Sequence, residues 1–239
     1  MTAFELAVQD AAGVTVAAHV RADRIELATA LALGGLTPSA GLIELAVASG
    51  IPVHVLVRPR AGGFAYDADD RALMTADVRA AIRAGAAGVV VGGLVQGRVD
   101  ADLVRAARDA AEGREVTFHR AFDALGDRAR AVDELAELGV TRVLTSGGAS
   151  RAADALDELR ALVRRADGAI QIMAGGGVDA GNAADVAATG VDAVHASAKR
   201  AVVDAVPVAL GSGAGAGAVA YETADESAAL AIRSALGRV

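Results

Sequence analysis

With no cysteine anywhere in its 239 residues, this chain cannot use thiolate nucleophiles, disulfides or thiolate metal sites. Its chemistry must come from carboxylates, arginines and imidazoles. Glu5, Glu26, Arg58, His119 and Ser197 each belong to a different short β-like run. Successive residues of a strand face opposite sides. In the run RIEL, Ile25 and Leu27 take the apolar face, which leaves Arg24, Glu26 and then Ala28 on the other. The same alternation sets Glu5 and Ala7 against Phe4 and Leu6, and His54, Leu56 and Arg58 against Val53, Val55 and Val57. It also sets Thr117 and His119 against Val116 and Phe118, and His195 and Ser197 against Val194 and Ala196, with Gln171 and Met173 on the polar side of their own run. An unpaired buried charge is very costly. Groups converging on one interior must therefore pair, meet water or bind a ligand. Glu26 or His119 suits a general base or acid, with Glu5 or Asp123 orienting its partner. Arg24, Arg58, Arg60 and Arg120 suit an anion. A purely structural salt-bridge network is the alternative for the same residues, and His54 reads as a core histidine.

A second constellation is built from glycine. Ala174-Gly175-Gly176-Gly177-Val178 follows one apolar run, and Ser197-Ala198-Lys199-Arg200 follows the next. Glycine lets a backbone N–H approach an oxyanion with no Cβ in the way. Loops of this kind at a helix start bind phosphate in many barrels. Gly175, Gly176, Gly177, Ser146, Ser197 and Lys199 are the corresponding anion-site candidates; a tight turn needing positive φ is the plainer reading of the glycines. Lys199 is the chain's one lysine. It reads as a phosphate-facing or exposed cation rather than a Schiff-base amine.

These side chains need a frame. Eight β-like runs (Phe4–Val8, Arg24–Ala28, Val53–Arg58, Gly88–Gly92, Val116–Phe122, Arg142–Ser146, Ile170–Ala174, Ala193–Ser197) alternate with Ala-rich stretches of helical period. The helical stretches include Asp70–Ala84, Ala101–Ala111, Arg128–Leu138, Ala152–Arg164 and a final Asp225–Leu236, with a short first one at Val14–Val20. Eight strand–helix units predict a single-domain α/β (β/α)8 TIM barrel over residues 1–239 rather than an open doubly wound sheet. Thr37 before Pro38, Asp67 and Asp100 read as helix caps. Gly85, Gly113, Gly139 and Gly190 sit where a helix should end. Residues 205–224, holding the low-complexity string Leu210–Ala218, read as a loop before the last helix.

The whole-chain balance narrows the classes further. Apolar residues make up 54% and mean hydropathy is +0.40, enough for a sizeable core. The net charge of −7, without a basic block, argues against nucleic acid as a partner. No run suits a signal peptide or membrane span, so a cytoplasmic protein is expected.

Seven ordered strings resemble the CutC family, known as copper homeostasis proteins: ADRIEL (Ala22–Leu27), GGLTPSAGLIE (Gly34–Glu44), IPVHVLVRPRAGGFAY (Ile51–Tyr66), VTFHRAFD (Val116–Asp123), RVLTSG (Arg142–Gly147), IMAGGGV (Ile172–Val178) and VHASAK (Val194–Lys199). The resemblance implies a TIM barrel, a cytoplasmic homo-oligomer and copper as the cofactor or cargo. It places polar mouth positions at Glu5, Asp23, Arg24, Glu26, Arg58, Arg60, His119, Arg120, Asp123, Ser146 and Ser197. The sequence departs from the family where copper ligation has been linked to cysteine: Ala7 and Ala28 stand at those positions. Cu(I) favours soft ligands, so the metal candidates left are His119, Met173 and His195. Two functions follow: copper handling, or an isomerase or lyase acting on a small phosphorylated or carboxylated metabolite.

Overall fold

Strand runs rich in Val, Ile and Phe, each too short to bury both faces alone, pair side by side until the sheet meets itself. In the computed structural model, which describes residues 2–206 and 217–237, the strands are β1 (Ala3–Val8), β2 (Arg24–Leu27), β3 (Val53–Leu56), β4 (Gly88–Val91), β5 (Leu94–Val95), β6 (Arg98–Val99), β7 (Glu115–Phe118), β8 (Arg142–Thr145), β9 (Gln171–Gly175), β10 (Ala193–Ala196), β11 (Lys199–Val206) and β12 (Gly217–Ala224). Eight of them close a barrel in the order β1-β2-β3-β4-β7-β8-β9-β10, and β10 pairs back onto β1. Every pairing in the barrel is parallel. Helices α1 (Ala11–His19), α2 (Ala40–Ala48), α3 (Ala68–Arg83), α4 (Ala101–Ala110), α5 (Arg128–Glu137), α6 (Leu156–Ala166), α7 (Ala183–Ala187) and α8 (Glu226–Ala235) join them. This is the TIM barrel expected.

The alternation of the strands divides the core in two. Outward residues such as Phe4, Leu6, Ile25, Val55, Phe118 and Ile172 join one continuous cluster with the helices. Inward residues form two separate plugs, Ala28–Leu56–Val90 and Leu144–Met173–Ala193. The rest of the interior is polar, which is unusual for a barrel filled mainly by branched apolar side chains and marks where chemistry can occur.

Local punctuation follows capping chemistry. Asp10, Asp67, Asp100 and Asp127 each accept a backbone N–H from the first turn of α1, α3, α4 and α5. Gly85, Gly113, Gly139 and Gly190 all have positive φ. Several local expectations are corrected. The first helix starts at Ala11, because Asp10 caps it. The cap of α2 is Ser39, not Thr37; Thr37 instead exchanges hydrogen bonds with the backbone of Arg58, tying two loops together. A single 3-10 turn, Ala152–Ala155, precedes α6. After β4 comes a tight β5–β6 hairpin with Gln96 and Gly97 both at positive φ, as such a two-residue turn requires. The expected loop over 205–224 is, where described, an antiparallel β11–β12 ribbon; residues 207–216, including most of the low-complexity string, lie outside the described residues.

Candidate functional site

The C-terminal end of the barrel holds a cavity of about 450 Å³, the end where barrels carry their chemistry. Register builds its floor. Glu5 on β1 is level with both Arg24 on β2 and His195 on β10. Glu5 is fully buried. It accepts from Arg24 Nε and from His195 Nδ1 at 2.8 Å, and Arg24 also donates to the Met173 thioether at 3.3 Å. Glu26, one layer nearer the mouth and level with the small Ala7, lies 3.6 Å from His195 Nε2. One imidazole thus bridges two carboxylates. Burial alone would raise both acids. For Glu5, the His195 hydrogen bond and the Arg24 and His195 charges outweigh it and hold the carboxyl well below the usual range. For Glu26, burial, joined by repulsion from Glu5, pushes the carboxyl up to about 7 despite the pull of His195. Burial disfavours the His195 cation, but Glu26 and Glu5 overcome this and raise its pKa. The pair Glu26–His195 faces the cavity with a proton it can give or take near neutrality.

His119 lines another wall. Its Nδ1 accepts the Ala121 N–H at 3.1 Å, Phe64 lies against the ring at 4.9 Å, and Gly92 leaves the space the ring occupies. Burial, helped by the Arg58 charge, pushes His119 down to about 4, against the pull of its own backbone, which favours the cation. Arg58 donates from Nη1 to the Leu33 and Gly35 carbonyls and from Nη2 to the Gly62 carbonyl. It is a fixed cation that clasps the loops after β2 and β3, and it sits 5.5 Å over Phe64.

The third wall is glycine. Gly176 and Gly177 have φ of 106° and 64° and line the cavity with Ser197 and Lys199. Neither glycine donates its N–H to another described residue. The Arg120 guanidinium lies against Gly176, close enough that a Cβ there would come within 3.2 Å. Asp123 holds Arg120 in place at 2.8 Å. It also accepts from the Thr145 hydroxyl and from the N–H groups of Ser146 and Gly148, while Ser146 Oγ receives Arg120 Nη2. Arg120 Nη1 donates to no described residue.

The structure therefore brings Glu26, Arg58, His119, Arg120, Ser197 and Lys199 around one opening, with Glu5 and Arg24 buried in the layer beneath it, but redistributes their roles. Asp123 orients Arg120 rather than His119. Ser146 stands behind Arg120. Gly175 belongs to β9, packed toward Leu144 and His195. Arg60 is turned outward: it pairs with Asp70 at 2.8 Å, donates to the Ala65 carbonyl and covers Tyr66, so it is not in position to clamp a ligand in the cavity. Lys199 stands on the rim, paired with Glu222 of the ribbon at 2.7 Å. Two residues went unread in the sequence. Arg142 seals the far end of the barrel through Gln171, Thr117 and Glu115, and its place on the inward face of RVLT was available from alternation. Gly92 makes room for His119, and no local signal distinguishes it from other strand-end glycines.

Among the described residues, Glu5, Glu26 and His195 form the group whose ligand atoms could surround a metal, all within 4.8 Å of one another. Their donors are two hard carboxylates and one imidazole. The soft donor nearby, Met173, is engaged by Arg24, and His119 presents a lone pair already used by Ala121. This set does not fit Cu(I), which prefers thiolate and thioether.

A parallel eight-stranded barrel with a mixed acid–base and glycine-lined mouth defines a TIM-barrel protein. Within that class, the CutC family profile matches residues 2–200, and the chain belongs to the CutC family. A CutC family protein of Caulobacter vibrioides is 46% identical over 196 residues, 81% of this chain and 80% of the relative. A solved structure from Streptococcus agalactiae, provisionally named as the copper homeostasis protein CutC, is 32% identical, with a TM-score of 0.78, over 82% of this chain and 99% of that one. An aldolase, QR15, aligns with a TM-score of 0.63 at 17% identity, over 81% of this chain and 89% of that one; that likeness is one of fold.

Proposed function

We propose that this protein is an enzyme that transfers a proton on a small phosphorylated or carboxylated metabolite, in an isomerase or lyase reaction. The observation that carries the reading is the Glu5–His195–Glu26 relay opening into the same cavity as the Gly176–Gly177 turn and Arg120. Glu5 stays ionised and orients His195. Glu26 exchanges a proton with the ligand, and His195 holds or supplies the proton in turn. The glycine N–H groups, Arg120 and Ser197 receive the anion. No thiol or nucleotide is needed for such chemistry.

The test is two-part. Phosphorylated and carboxylated compounds are screened by thermal shift, and those that stabilise the protein are incubated with it in D2O and followed by NMR. Enzyme-dependent deuterium uptake that disappears in Glu26→Gln is expected. Stabilisation by none of the anions, or exchange that survives Glu26→Gln, would reject the reading.

Copper handling, the role carried by the family name, has the donor chemistry against it. Titration with Cu(I) beside a competing chelator is expected to show no competition at micromolar protein; stoichiometric capture would restore that role.

A further inference from the structure

We infer that the His119 Nε2–H donates to a carbonyl oxygen of the ligand, so that the substrates are small 2-oxo or aldehyde compounds carrying an anionic end. This rests on the proton-transfer reading above and names the substrate class for that site.

The argument begins with the ring's tautomer. Because Nδ1 accepts the Ala121 N–H, it carries a lone pair, and a neutral imidazole must then hold its proton on Nε2. That Nε2 is buried and has no partner among the described residues, in a residue only 6% exposed that lines the cavity. Buried polar groups are nearly always paired, so a donor left over at the wall of a cavity marks where a ligand acceptor belongs. The ring cannot swing away. Phe64 covers it at 4.9 Å, Phe118 stands at 6.0 Å, and the space beside it is the one Gly92 leaves. Next to it the Arg58 guanidinium is immobilised by three loop carbonyls. A fixed neutral donor beside a fixed cation suits an oxygen that gains negative charge during reaction. The same tautomer makes His119 a poor metal ligand and a poor base.

Position around the barrel supplies the second half. In the closed order, β3, which leads to Arg58, lies opposite β9, which leads to Gly176. Arg58 and the anion cradle therefore face each other, while His119, which follows β7, stands two strands from β9 and shares the Phe64 ring with Arg58. A ligand reaching from the cradle toward Arg58 and His119 Nε2 needs an acceptor oxygen separated from its anion. The chemistry then balances simply. The Glu26 carboxylate takes the proton from the carbon next to the carbonyl. The C–H electron pair forms a C=C bond while the carbonyl π pair moves onto oxygen, where the His119 N–H holds it. Glu26 then returns the proton to the same carbon as the electron pair falls back from oxygen and restores the carbonyl; the proton exchanges with solvent while it sits on Glu26.

The experiment measures affinity for two matched pairs by calorimetry: dihydroxyacetone phosphate against glycerol 3-phosphate, and pyruvate against lactate. Inorganic phosphate is the reference for the anion cradle alone. A carbonyl preference of about tenfold or more is expected for at least one pair, the size of one hydrogen bond in a desolvated charged setting. His119→Asn keeps an acceptor for Ala121 but lacks the Nε2 donor, so the preference should vanish while phosphate binding stays. His119→Gln, which restores an N–H near Nε2, should recover part of it; a merely structural role would give the reverse ranking. The carbonyl stretch of the bound ketone should move to lower wavenumber in the wild type and not in His119→Asn. Should His119→Asn fail to fold, Gly92→Ala, which displaces the ring, must show the same loss. Phosphate binding without carbonyl preference in the wild type, or a preference retained in His119→Asn, overturns this assignment and leaves the proton-transfer reading standing. Binding of neither phosphate nor any of the four compounds overturns both.

Discussion

Glu5 and Glu26 show how two identical side chains on neighbouring strands acquire opposite properties. Glu5 receives an arginine and an imidazole and stays ionised; Glu26 receives only the far nitrogen of that imidazole and titrates near 7. If Glu26 is the base, kcat/KM for an exchanging ligand rises as pH passes upward through about 7 and is flat above it, and Glu26→Gln lowers the rate by about 10²–10⁴. Glu5→Gln leaves Glu26 in place but removes the anchor of His195, so the midpoint of that pH profile shifts; an unmoved midpoint would argue against a positioning role. His119 makes a separate prediction about stability. Its folded pKa of about 4 lies below the unfolded value of 6.5, so the unfolded chain takes up its proton first. The stability it contributes is complete above pH 6.5 and is lost as pH falls toward 4. Urea unfolding at pH 7.5 and 4.5 should show a smaller loss in His119→Asn than in the wild type.

Elements decide which of these side chains can meet. Alternation within strands made the inward set legible: Glu5, Arg24, Glu26, His54, His119 and His195 follow from two-residue periodicity against Val, Leu and Phe neighbours. Past a strand's last residue that rule lapses. Arg58 and Arg60 look equivalent in VRPR, yet the loop turns one into the clasp and the other out to Asp70, because partners far along the chain make the choice. Asp123 reads in the sequence as an orienter of an acid or base, Glu26 or His119, whereas its partners are Arg120 three residues before it and the end of β8 with the loop that follows, 22–25 residues on. The β11–β12 ribbon was illegible for a different reason: it pairs antiparallel outside the strand–helix alternation that organises the barrel, and the low-complexity string Leu210–Ala218 within the span reads as loop. Two substitutions test the element scale. Asp127→Ala removes the first-turn acceptor of α5 and should cost about 1 kcal/mol in urea unfolding. Glu115→Ala strips from buried Arg142 the one carboxylate that pairs with it among the described residues. Because Glu115 is half-exposed and water can replace it in part, the loss should be about 1–2 kcal/mol, and no measurable loss would mean Gln171 and Thr117 suffice.

At the scale of the molecule, barrel closure sets one cavity against eight strands, so occupying the cavity must register as global stability. A ligand at a hundred times its Kd adds about 2.7 kcal/mol, which for a domain of this size raises Tm by about 5–10 °C. No helix among the described residues is long and apolar enough to cross a membrane. The barrel also explains the unusual basic composition. Of 23 basic residues, 22 are arginine, and those at the site act through fixed, multidentate geometry at loop carbonyls, thioether and carboxylates, work that a lysine's point charge performs poorly. The exception, Lys199, stands half-exposed on the cavity rim. Acylating reagents thus meet a single ε-amine on the entire surface, and it overlooks the opening. An environment-sensitive dye attached there would convert the protein into its own optical sensor of whatever enters.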